Sequence, residues 1–240
     1  MSICTFDLRR LTALRRRAEM ARQGQERPPA GWSKSAVDPM GVVDAFDALR
    51  LRTGFTIRAY QYYFGGNGHA VVWAMPAGSD FPEPQDCSVR AGSPPGRPRP
   101  PGALDDVMEV IEGDGSPWSY ISASLFWREI HEFGAFWHGC DWTSHNVLDR
   151  NPLAVRARRK QRGVDWPSGR AKDWNWIRPE PADWRPAVRR DLDTVTVTFF
   201  TFNAAGVETI SLHTDCYKSE GYRFIPTMES VAIGPGGFVY

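Results

Sequence analysis

Two stretches constrain the fold most, each a pair of β-forming runs around a turn signal. Residues 55–75, FTIRAYQYYF–GGNG–HAVVWAM, are rich in aromatic and β-branched side chains. The Asn67-Gly68 dipeptide is a short-range hairpin signal because both residues tolerate positive φ. The pattern predicts strands over Phe55–Phe64 and His69–Met75. Tyr60, Tyr62 and Phe64 then share a face with Val71, Trp73 and Met75, and that bulky face is expected to meet the core.

The second stretch, residues 193–217, reads DTVTVTFFTF–NAAG–VETISLHTDCY. Pairing Asn203 with Gly206 puts Val195, Val197 and Phe199 on one face with Ile210 and Leu212, the expected core side. Thr194, Thr196 and Thr198 fall on the opposite face with Ser211, His213 and Asp215. A last strand around Met228–Ile233 and the terminal Phe238-Val239-Tyr240 are expected to complete the sheet.

The clearest helix follows Ser116-Pro117, a capping residue and a proline at the first helical position. It is expected to run over 117–137, with Phe126, Ile130, Phe133 and Trp137 in a narrow apolar arc. Arg128 and Glu132 lie opposite, and Tyr120, Ser124, Trp127, His131 and His138 form a second stripe beside the apolar one. Residues 5–23 read as a basic helix with Leu11, Leu14, Ala18 and Ala21 on one face, expected to be solvated or frayed. Asp38-Pro39 starts a shorter helix with Val42, Phe46 and Leu49 inward, and Gly54 as its cap.

Residues 76–103 contain eight prolines and predict an extended, mobile loop. Residues 104–112 fit a short helix or a strand equally well, and 139–192 are irregular and rich in Pro, Trp and Arg. The fold class is therefore α+β, antiparallel hairpins packed on a long central helix. Residues 1–30 are expected to be a basic N-terminal helix or extension, and 31–240 a single domain.

At 42% hydrophobic residues the chain can build a core, which excludes disorder throughout. No apolar run approaches the ~20 residues that span a bilayer. The N-terminus lacks an apolar stretch before its arginines, so no secretory signal is expected. Cys4, Cys87, Cys140 and Cys216 are scattered without a CxxC pair and read as free thiols, which favours the cytoplasm. The net charge of +1 conceals two basic segments, +4 over 1–27 and +6 over 154–178, against a body of −9. Four of the ten tryptophans, Trp166, Trp174, Trp176 and Trp184, fall in or just after the second basic segment and are expected to pin loops onto the core.

The densest chemical group is HEFGAFWHGCDWTSH, which holds His131, His138, Cys140, Asp141 and His145. Imidazoles move protons near neutral pH, so His131, His138, Asp141 and His145 are the candidate acid/base set. Imidazoles near a helix C-terminus can equally just complement its dipole. Seven residues of helix would separate His131 from His138 by ~10.5 Å, unlike zinc-binding pairs four apart, so no metal is expected. Tyr120 and Trp127 are the candidate ligand-binding wall, with His213 and Asp215 on the sheet as further candidates. An ordinary threonine-rich, water-facing sheet accounts for His213 and Asp215 more simply and is the expected reading. The acidic turn Glu112–Asp114 reads as a cap and not as an anion site, and no motif implies a cofactor.

Three readings follow. One is a small-molecule-binding protein or enzyme with a histidine-containing aromatic pocket between helix and sheet. Another is a non-enzymatic partner protein of accessory or immunity type, and the third is nucleic-acid binding through 154–178.

Overall fold

A computed structural model describes residues 2–22, 28–91, 96–154, 167–168, 170–218 and 220–238. In chain order the elements are β1 (Ser2–Thr5), α1 (Leu8–Arg22), β2 (Gly31–Lys34), α2 (Met40–Asp44), β3 (Leu49–Leu51), β4 (Phe55–Phe64) and β5 (Asn67–Pro76). They continue with β6 (Ser88–Arg90), β7 (Arg97–Arg99), β8 (Ile111–Gly113), α3 (Pro117–His131), β9 (Asn146–Leu148) and β10 (Asn175–Trp176). The last are β11 (Ala187–Arg190), β12 (Thr194–Asn203), β13 (Thr209–Lys218) and β14 (Phe224–Ile233). The class is α+β with antiparallel pairing in every described ladder, and no described helix is long and apolar enough to cross a membrane.

The chain divides into two compact units. Unit 1 comprises residues 1–12, 143–220 and 224–240, and unit 2 comprises 13–142 and 221–223. Unit 1 is an antiparallel sheet ordered β1-β11-β12-β13-β14-β10, with β9 sharing an edge of β12. Val195, Val197, Phe199 and Tyr217 are buried on one face of the central hairpin. Phe202, Ile210, Trp174 and Trp184 pack on the other, so these two tryptophans are core residues.

The register of that hairpin corrects the sequence reading. Asn203 pairs with Thr209, not Gly206, which sets His213 opposite Phe199 and Asp215 opposite Val197. A shift of odd parity moves every side chain of one strand to the other face. Ser211, His213 and Asp215 therefore lie on the buried face with Val195, Val197 and Phe199, and the water-facing reading fails. The cause is non-local. Residues 204–208 bond to the C-terminal segment through Gly206 N–H to Phe238 O (2.7 Å), Phe238 N–H to Ala204 O (3.0 Å) and Glu208 N–H to Gly236 O (3.0 Å). These bonds hold the connection open as a five-residue loop.

Unit 2 centres on the sheet β2-β4-β5. Its hairpin turns at Gly65-Gly66 (φ 60° and 92°), and Asn67 and Gly68 belong to β5. Gly68 is needed where it stands, since a Cβ there would lie 2.6 Å from the Phe136 ring. The expected bulky face is in place, with Tyr60, Trp73 and Met75 buried. Residues 77–91 and 96–104 cover it. Trp73 donates its indole N–H to Pro98 O (2.9 Å), and Tyr60 stacks on Phe81 and donates to Pro82 O (2.7 Å). The proline-rich segment thus carries the β6–β7 ladder and is not the structureless loop its composition suggests.

Helix α3 ends at His131, six residues before the expected boundary. Gly134 turns left-handed at φ 65°, and Phe136 pairs with Gly68 as an isolated bridge. Its core face includes Ile121, Leu125, Phe126 and Ile130. The expectation of a solvated N-terminal helix also fails, because Leu11, Leu14, Ala18 and Arg22 are buried. Glu129 accepts from Arg15 (3.0 Å), Arg22 (3.1 Å) and the Trp142 indole (2.8 Å), and Arg22 also pairs with Glu132 (2.7 Å). A buried carboxylate is tolerable only with such partners.

Candidate functional site

Each unit gathers histidines, in opposite ways. In unit 1 the register brings Thr201 and His213 onto one buried face of β12 and β13, and His145 precedes β9, which pairs with β12. Thr201 Oγ1 lies 3.0 Å from His145 Nδ1 and 2.9 Å from His213 Nε2. Asn203 Oδ1 accepts the Ala205 N–H (2.8 Å), which turns its amide nitrogen toward His145 Nε2 at 3.1 Å. The bond directions then follow in sequence. His145 accepts at Nε2 and donates from Nδ1, Thr201 accepts and donates onward, and His213 accepts at Nε2. His213 also stacks face to face on Phe199, centroids 4.7 Å apart. Asp215 is fully buried on the same face. Both nitrogens of His145 are committed, so this chain of bonds ties β9, β12 and β13 together.

In unit 2 the imidazoles lie at or near the surface. The second stripe of α3 emerges from the core along its length. Tyr120 and Ser124 are buried, Trp127 is half-buried and His131 is exposed. Tyr120 stacks on Tyr222 (5.0 Å), while the His131 ring lies on Trp127 (4.2 Å) with Nδ1 2.6 Å from the Trp127 carbonyl. Although its accessible surface is large, protein atoms crowd the His131 ring closely enough for desolvation to lower its pKa. The Trp127 carbonyl and Asp106 oppose that shift, and Arg128 and Arg97 add to it.

His69 was not among the residues singled out from the sequence. It projects from β5 on the face that carries Trp73. Burial, then the Arg97 charge, lowers its pKa as well. The turn Trp137–Gly139 stands against it, since a Cβ on Gly139 would lie 3.1 Å from His69 Cε1 and would strike the Gly68 carbonyl. His138 donates its backbone N–H to Asn67 Oδ1 (3.4 Å), and its Nε2 accepts from the Trp137 indole (2.8 Å). Trp137 is 65% exposed and holds φ at 50°, the one non-glycine residue with positive φ among those described. A bulky residue in that region is strained and is held there by its surroundings.

The candidate acid/base set is thus divided. His131, His138 and the exposed Asp141 belong to unit 2, and His145 is buried in unit 1 with His213. Cys140 does not extend the set as a nucleophile, because burial and the Glu132 charge raise its thiol pKa. Among the described residues no group of three or more His, Cys, Asp or Glu could hold a metal ion. Most of the basic segment 154–178, with Trp166, lies outside the described residues. No family model, curated protein or solved structure matches the chain.

Proposed function

We propose that the chain is a small-molecule-binding protein whose site is the imidazole-bearing surface of unit 2. The observation that carries this reading is that the turn bearing His138 stands against His69 on β5, while Arg97 acts on both His69 and His131. The lowered pKa values of His69 and His131 favour neutral imidazoles, which can accept a proton from a bound acid or donate a hydrogen bond to it. A nearby guanidinium favours an anionic group. The exposed Trp137 ring and half-buried Trp127 supply apolar faces for the remainder of the ligand. On this reading His131 and His138 contact the ligand, while His145 and His213 support the fold.

Titrating protein labelled at histidine Cε1 with benzoate, an acid that carries a ring, tests this. The resonances of His69, His131 and His138 are expected to shift while those of His145 and His213 stay. His138→Ala is expected to weaken the complex about tenfold, or ~1.4 kcal/mol, with an unchanged melting temperature. Equal shifts at all five histidines, or none at any, would overturn the assignment.

A further inference from the structure

The outer edge of β5 is paired at two points only. Gly68 exchanges both backbone bonds with Phe136 (3.3 and 3.0 Å), and the Ala74 carbonyl accepts from Leu104 N–H (2.9 Å). In an antiparallel ladder the residues alternate in direction, so Ala70 and Val72 point their N–H and C=O groups the same way as Gly68 and Ala74. Among the described residues no protein group bonds to those four positions. Between the two bridges the sheet therefore offers donor, acceptor, donor, acceptor at strand spacing, bounded by Phe136 at one end, where Gly134 packs against the Ala70 methyl, and by Leu104 at the other. Ala70 and Val72 are both partly exposed.

Resting on the reading that this surface of unit 2 binds a ligand, we propose that the ligand is a short extended peptide which adds to β5 by pairing with Ala70 and Val72. Only an extended backbone presents alternating amide groups at the matching repeat, and Phe136 and Leu104 already engage the same edge in that manner. Three residues, roughly 10 Å of strand, fill the interval. The surroundings suit a peptide that ends in a free carboxylate. Arg97 and His69 lie toward the Trp73 face of β5, and the Arg97 field also reaches His131.

The other long strand with an open edge makes a useful contrast. Within β14, Pro226 and Glu229 stand on the stretch that β10 leaves uncovered, and Glu229 pairs with Arg178 (2.6 Å). Proline and charge are the usual guards against strand addition. Ala70-Val71-Val72 carries neither.

The experiment is amide hydrogen exchange on the full chain with a library of N-acetylated tripeptides bearing free carboxylates. Bound peptides are expected to slow exchange at Ala70 and Val72 about tenfold, which corresponds to ~1.4 kcal/mol. N-methylating a ligand amide that faces β5 should abolish this protection, and replacing the carboxylate by an amide should weaken it. Both changes are made on the ligand, so the protein fold is untouched. If benzoate shifts His69 and His131 but no tripeptide protects Ala70 and Val72, the peptide assignment is wrong and the binding reading stands. If neither probe perturbs unit 2, both are wrong.

Discussion

His145 and His213 in unit 1 have their ring nitrogens directed by strand register and by one threonine, whereas His131 and His138 in unit 2 lean on neighbouring tryptophans at the surface. His145 has no ring nitrogen left for a ligand. Among the described residues no protein group bonds to His131 Nε2. The same side chain, from the same cluster in the sequence, is a buried fastener in one unit and a surface group in the other. Burial with directed bonds separates the two roles more sharply than proximity in sequence does.

The largest expected effect comes from breaking the buried chain of bonds. Thr201→Val keeps the shape of a fully buried side chain but removes the hydroxyl that both imidazoles share. Removing one partner from buried polar groups costs their desolvation, here about 3 kcal/mol. Urea unfolding should show that loss with an unchanged slope. His131→Ala, by contrast, should stay within about 0.5 kcal/mol of the native protein, as exposed substitutions usually do. Equal losses in both variants would erase the distinction between the units.

A smaller effect is expected at Gly139. An added methyl meets the Gly68 carbonyl and the His69 ring, so Gly139→Ala must push the Trp137–Gly139 turn off β5. Such overpacking costs about 2 kcal/mol. It should also change the His69 and His138 resonances without touching those of His145 and His213. If only stability moves, the turn does not position the imidazoles.

How much of this was legible beforehand depended on the range of the interactions. Both hairpins could be read from alternation and turn residues, because those signals are local. Their turns could not. Gly65-Gly66 competes with Asn67-Gly68 within one tetrapeptide, and the Phe136 ring makes Gly68 a packing residue. The 204–208 loop is set by bonds to Gly236 and Phe238, which no local pattern contains. That single non-local choice reversed the face assigned to His213 and Asp215. The α3 stripe holds as a row only from Tyr120 to His131, because the helix ends there and His138 lies in the turn beyond Gly134; its gradient from buried Tyr120 to exposed His131 depends on tertiary packing. His69 escaped notice because it sits alone in a strand. The available signal was its shared face with Trp73, which marks it as partly covered.

The smallest expected effect is a pH dependence confined to unit 2. Desolvation and Arg97 hold the His69 pKa below its ordinary 6.5. As pH falls through 6.5 the unfolded chain takes up a proton before the folded chain does, so stability drops. The contribution is fully present above that value and is lost progressively down to the folded-state pKa. Desolvation lowers the pKa of His131 too, with the same sign. His69→Gln should therefore flatten the decline in unfolding free energy on the acid side of 6.5 while leaving the curve above pH 7.5 parallel to that of the native protein. A bound carboxylate acts oppositely, since a nearby negative charge favours the imidazolium. With saturating benzoate the decline should shrink in the native protein and shrink less in the His69→Gln variant, where only the His131 contribution is left for the carboxylate to act on. A decline that survives both His69→Gln and His131→Ala would have to come from groups other than these two imidazoles.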